Sequence, residues 1–118
     1  MTWDFRNDLP IYSQLIEQIK LAIVSGVFAP GMRLNSVRDM AAEAGVNPNT
    51  LQRALQELER QGLVFSQRTS GRYVTEDTNV IDETKRALAQ GQLAAFLDAM
   101  KKLGYERAEI IALLKEEA

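Results

Sequence analysis

Asn49, Thr50, Gln52 and Arg53 fall within five consecutive residues, with Gln56 and Arg60 further along, and all end in hydrogen-bonding groups. Leu51, Ala54, Leu55 and Leu58 interleave with them at helical spacing, so the apolar set faces inward and the polar set outward. An outward carboxamide can pair bidentately with adenine and a guanidinium with guanine, each worth roughly 1–3 kcal/mol of discrimination between bases. Either can instead touch only phosphate. Thr50, short and close to a helix start, suits a phosphate oxygen better than a base edge. Arg38 lies upstream of this group, and downstream Arg68 and Arg72 flank a turn that ends at Gly71. A basic tip of that kind can approach a groove, or it can guard an exposed hairpin edge.

Such side chains act together only if short helices and a hairpin hold them, and the intervening residues predict those elements. Ser36 precedes a segment running to Ala44, with its hydroxyl placed to accept a free first-turn amide and Asp39 favourable to the helix dipole. Met40, Ala41 and Ala44 form the inward stripe, and Gly45 breaks the helix. Asn47 as cap and Pro48 as first helical residue start the next helix, which runs to Arg60 before Gly62. Leu63 to Gln67 reads as a strand, Arg68 to Gly71 as a turn, and Arg72 to Thr75 as the returning strand. Helix, turn, helix and hairpin in this order match the winged helix-turn-helix, whose second helix offers its first turns to the major groove of DNA.

Further upstream, Trp3 and Phe5 alternate in an arm spanning Met1 to Leu9, which suits an extended segment with one apolar face. Pro10 suits a first helical position, and Ile11, Leu15, Ile19, Ala22 and Ile23 form an amphipathic stripe ending at Gly26. Phe28 plugs the turn that follows, and Met32 to Leu34 suits a very short strand. Acidic, polar residues 76–79 read as a linker. Residues 80–118 then form a two-helix tail, one helix ending near Gly104 and the second carrying Ile110, Ile111, Leu113 and Leu114.

The fold class is therefore mainly α with a small β-hairpin: a winged helix-turn-helix over residues 1–75, followed by a helical dimerisation segment over 80–118. In the tail, Leu88, Leu93, Phe96, Leu97, Met100, Leu103, Ile110, Ile111 and Leu114 cover a wider arc than two helices can bury by themselves. A second copy of the chain is the simplest cover, because an isologous interface lets one patch serve both subunits. The alternative is that both helices fold back onto their own winged unit. Phe96, Met100 and Tyr105 could also line an effector site formed between subunits. No effector is legible in these residues, and no cofactor is expected.

Bulk properties narrow the function classes. The 118 residues accommodate one compact unit plus an appendage. Zero cysteines and zero histidines remove thiol chemistry, the commonest general base and the commonest metal ligands. An enzyme would have to work with Asp and Ser alone, so the protein is expected not to be one. No signal peptide and no membrane span is read, and a cytoplasmic location is expected. The net charge of −2 argues against nucleic acid as a whole-chain average, and favours a rival reading as a winged-helix protein-interaction module. The average hides an asymmetry: residues 31–74 hold six arginines against four carboxylates, and no lysine. Arg33 and Arg60 can add to a phosphate grip.

With Pro10-Ile11-Tyr12, Gln14, the Gly26 to Gly31 turn, Leu34, Ser36, Arg38, Asn47-Pro48-Asn49-Thr50, Gln52-Arg53-Ala54, Glu57-Leu58-Glu59 and Gly71 in this order, the chain resembles the GntR family of bacterial transcription regulators. It looks most like the YtrA-like branch, whose short two-helix tail it shares. The resemblance implies a DNA-binding homodimer, usually a repressor, often of an operon encoding an ATP-driven transporter. It implies DNA contacts at Arg38, in the recognition turns at Asn49, Thr50, Gln52 and Arg53, and in the wing at Arg68 and Gly71. Arg72 adds a wing cation. Four residues depart from the family pattern. Asn35 stands where proline is usual, Pro48 where many members outside the branch have arginine, and Thr69 and Arg72 where glycine and threonine are commoner.

Overall fold

Pro10 caps the first helix, one residue earlier than its expected helical place, and α1 runs from Ile11–Val24 in a computed structural model that describes residues 1–117. The arm before it is extended and tied down by two glutamines. Gln14 accepts from the Arg6 amide at 2.7 Å and donates to the carbonyls of Arg6 and Leu9, both at 2.9 Å. One turn on, Gln18 treats the amide and carbonyl of Asp4 in the same way. Trp3 and Phe5 stack with ring centroids 6.0 Å apart and pack on the core, as their alternation predicts.

Ser36 caps α2, Val37–Ala44, by accepting from the Asp39 amide at 3.1 Å. The helix ends in Gly45 at φ 70° and ψ 35°, the left-handed conformation that lets the chain reverse without a Cβ clash. Asn47 then caps α3, Pro48–Arg60, accepting from the Asn49 amide at 2.7 Å, with Pro48 in the first turn. Leu51, Ala54, Leu55 and Leu58 are buried. They meet Leu15, Ile19 and Ile23 of α1 and Met40 and Ala41 of α2 in one core; Ala44 is only half-buried. Burying each of the leucine, isoleucine and methionine side chains stabilises the fold by about 1.5–3 kcal/mol.

The hairpin pairs β1, Val64–Gln67, with β2, Gly71–Val74, antiparallel. Val64 faces Val74, and Ser66 faces Arg72. The expected short strand exists as one edge: Arg33 bridges Tyr73, the Leu34 amide donates to the Arg72 carbonyl, and the Val74 amide donates to the Met32 carbonyl. Phe28 is buried against the same core, as a plug for the preceding turn.

α4 spans Thr78–Lys102 and α5 Arg107–Glu117. The helix begins inside the stretch expected to be a linker, because Asp77 accepts from the Asn79 amide and so starts the helix there. Val80 and Ile81 pack with the winged core, and the first compact unit extends to Lys85 rather than ending at 75. The second unit begins at Arg86. No helix among the described residues is long and apolar enough to cross a membrane.

Candidate nucleic-acid interface

α3 turns its buried stripe to α1 and α2, which leaves Asn49, Arg53, Gln56 and Arg60 exposed and Thr50 and Gln52 half-exposed. Asn47 and Pro48 fix where that face begins, because the cap bond consumes the Asn49 amide and proline has none to offer. The Arg53 guanidinium lies over the Tyr12 ring at 4.8 Å from its centroid. Tyr12 belongs to α1, so the arginine is braced by a neighbouring helix while staying accessible.

The arginines of residues 31–74 divide into two classes. Arg60 is paired with Glu57 at 2.7 Å and Arg72 with Glu59 at 2.5 Å. Arg33, Arg38, Arg53 and Arg68 have no carboxylate partner among the described residues. All four are exposed. The Arg60 guanidinium is held above its ordinary value by the Glu57 hydrogen bond and charge, and the Glu57 carboxyl is held below the usual range by Arg60. Arg60 is thus already engaged, which weakens its expected role as a supplementary phosphate grip.

Arg72, expected as a free wing cation, is engaged more deeply. Its side chain is only 17% exposed and points back to α3, where it donates to Glu59 and, at 3.1 Å, to the Gln52 carboxamide oxygen. Ser66, opposite on β1, donates to the same Glu59 oxygen at 2.6 Å. Burial pushes the Glu59 carboxyl up, but the bonds from Ser66 and Arg72 and the Arg72 charge outweigh it and leave it below the usual carboxylate range. The cause is geometric: the register puts Ser66 and Arg72 side by side, both within reach of Glu59 in the last turn of α3, with Arg72 extending to Gln52 in an earlier turn. At the wing tip Arg68 stays free, and Gly71 adopts φ 110° with the Arg33 side chain against it.

Tyr12, Glu59 and Ser66 also belong to this surface, unanticipated from the sequence; Arg33, expected as a supplementary phosphate grip, is exposed and lies beside Gly71. A signal existed for Glu59, which follows Gln52 by seven residues and so returns to the same helix face. For Tyr12 there was none, since its contact with Arg53 joins distant segments.

In the tail, Leu93, Phe96, Leu103, Ile111 and Leu114 are exposed and Leu88, Leu97 and Met100 half-buried in the single chain. Ile110 departs from the expectation. At 2% exposure it is already covered in one chain, so its burial does not require a partner. Tyr105 lies at the turn between the helices, exposed, and Phe96 and Met100 sit on α4.

Comparison with known proteins gives this surface a context. Residues 11–74 match the profile of the bacterial regulatory proteins of the gntR family. The chain belongs to the GntR family. The HTH-type transcriptional repressor YtrA of Bacillus subtilis is 36% identical over 100 residues, 85% of this chain and 72% of YtrA. A GntR family transcriptional regulator from Listeria monocytogenes has a TM-score of 0.87 at 38% identity, covering 95% of this chain and 98% of that one. The AraR DNA-binding domain solved in complex with operator ORR3 has a TM-score of 0.54 at 28% identity, covering 64% of this chain and 88% of that one.

Membership in GntR makes this protein a transcription regulator with a winged helix-turn-helix DNA-binding domain, and not an enzyme. The resemblance to the YtrA-type regulators read from the sequence holds. Within that GntR frame, α3 is the recognition helix, the β1–β2 hairpin is the wing, and α4 and α5 form the appended tail.

Proposed function

We propose that the protein is a homodimeric repressor that binds an inverted-repeat operator, with α3 of each subunit in a major groove. The observation that carries this reading is the recognition helix itself: a capped start and an outward face with Asn49, Thr50, Gln52 and a braced, unpaired Arg53. Arg38 and Arg68 supply further unpaired cations, and Gly71 lets the wing tip approach the backbone. Phosphate contacts from such arginines set register, and base contacts from α3 set sequence.

The homodimer is supported by the tail, where Leu93, Phe96, Leu103, Ile111 and Leu114 leave apolar surface for a twin subunit to cover. On this reading the first unit, through Lys85, reads DNA and the helical tail from Arg86 on pairs the subunits. The repressor role rests on the likeness to YtrA, which bears that description, and operator binding on the likeness to AraR. The regulated genes are those of a transporter operon, as the branch resemblance implies, and the protein works in the cytoplasm beside them.

Selection of duplexes from a random pool by the purified protein tests this directly. The expected product is a two-fold symmetric site with half-sites spaced by about one helical turn or a small multiple. Affinity for it should fall steeply as salt rises. Recovery of no sequence, or a salt-independent interaction, would replace this reading with that of a protein-interaction module.

A further inference from the structure

We propose that Arg72 is a positioning residue that sets which bases Gln52 can read, and that it is not a phosphate ligand. This rests on the function proposed above and adds to it a determinant of specificity. Three observations meet at one point. Arg72 is largely buried; its charge is matched by Glu59; and a nitrogen of its guanidinium donates to the Gln52 carboxamide oxygen at 3.1 Å. Ser66 completes the arrangement by donating to Glu59 from the paired strand.

The consequence follows from donor and acceptor chemistry. A guanidinium has only donors, so the amide of Gln52 must turn its oxygen toward Arg72 and its nitrogen away. Bidentate recognition of adenine needs the oxygen and nitrogen of one amide side by side along the base edge. Tethering the oxygen to the wing removes it from that edge and leaves the amide nitrogen as donor. Gln52 then favours a base edge made of acceptors, as guanine presents with its O6 and N7, over the mixed edge of adenine. The wing thereby edits the recognition helix through a side chain that touches no nucleic acid. A free cation at the hairpin behaves differently: Arg68, exposed and unpaired, is placed to neutralise a phosphate.

The test is binding-site selection with the full-length protein, the R72M and Q52A variants, and the R72M/Q52A double variant. In R72M the adenine-to-guanine affinity ratio at the base pair facing Gln52 should rise by about fivefold or more, the low end of what one base contact discriminates. In the Q52A background the same substitution should leave that ratio unchanged, since the effect passes through the amide. The charge-neutral pair E59Q/R72M removes both ionic partners, so neither is stranded if R72M folds poorly. It should show the R72M preference and keep the wild-type slope of affinity against salt. An unchanged preference in R72M and E59Q/R72M, with wild-type protein still selecting its site, overturns this inference alone. So does a salt slope reduced by about one in E59Q/R72M, the signature of a lost phosphate contact. Failure of the wild-type protein to select any duplex overturns the DNA-binding proposal and this inference with it.

Discussion

The Arg53 guanidinium stands over the Tyr12 ring, 4.8 Å from its centroid, which ties the recognition helix to the first helix of the fold through an exposed contact. The ring face attracts the cation by about 0.5–1 kcal/mol at an exposed site and narrows the rotamers that Arg53 samples before it meets DNA. Y12F keeps the ring, and should bind the selected operator like the wild type. Y12L loses it, and should weaken operator binding about two- to fivefold while leaving non-specific binding in place. Fluorescence anisotropy with selected and scrambled duplexes measures both. Equal weakening on the two duplexes would show that Arg53 serves phosphate rather than a base.

Glu59 gives stability a pH dependence of known sign. Its carboxyl sits below the usual range in the folded protein, so the native state holds fewer protons than the unfolded chain between the two values. The stabilisation is present above the unfolded value and is lost as pH falls through the folded one. Urea denaturation of wild type and E59Q should therefore differ at pH 7 and converge in acid below the carboxylate range. A constant difference across that range would mean that the carboxylate charge contributes nothing.

Gly45 makes the turn between α2 and α3, and its demand is conformational alone: an added Cβ meets nothing within 4 Å. G45A should cost about 1–2 kcal/mol, since the left-handed region is what alanine resists. G45N should cost less, because asparagine enters that region more readily. Thermal melts of both variants check the order.

Substitution of tail residues separates pairing from folding. The L93K/L114K variant places two charges on positions that are 54% and 53% exposed in the single chain. It should sediment as a monomer and lose the avidity of a two-half-site operator, yet keep the wild-type affinity for an isolated half-site. Sedimentation unchanged from wild type would remove these residues from the interface. By contrast L55A, in a fully packed site, should cost about 2–5 kcal/mol of stability.

The helices and the hairpin were legible because their determinants are local. Ser36 and Asn47 mark helix starts by accepting from amides three and two places on, Gly45 ends α2 through its left-handed backbone, and Pro48 opens α3 with no amide to satisfy. The identity of the exposed face of α3 followed from its periodicity. What could not be read was pairing between distant elements. Arg72 looked like a free wing cation because its partners, Glu59 and Gln52, lie 13 and 20 residues earlier in the chain. The linker near residue 77 looked polar and open, but it starts a helix whose Val80 and Ile81 return to the core. Ile110 matched its exposed neighbours in type, and only three-dimensional packing sets it apart.

The amide of Gln14 imposes a constraint on how this lineage can vary. It serves the arm as a surrogate strand, offering one acceptor and two donors to peptide groups that have no sheet to join. Glutamate is a single-nucleotide neighbour of glutamine and nearly identical in shape, yet its ionised carboxylate would confront the Arg6 and Leu9 carbonyl oxygens with no hydrogen to give. An apparently mild drift in the gene would therefore release the arm at Arg6 and Leu9 and leave Gln18 alone to hold the stretch that carries Trp3 and Phe5.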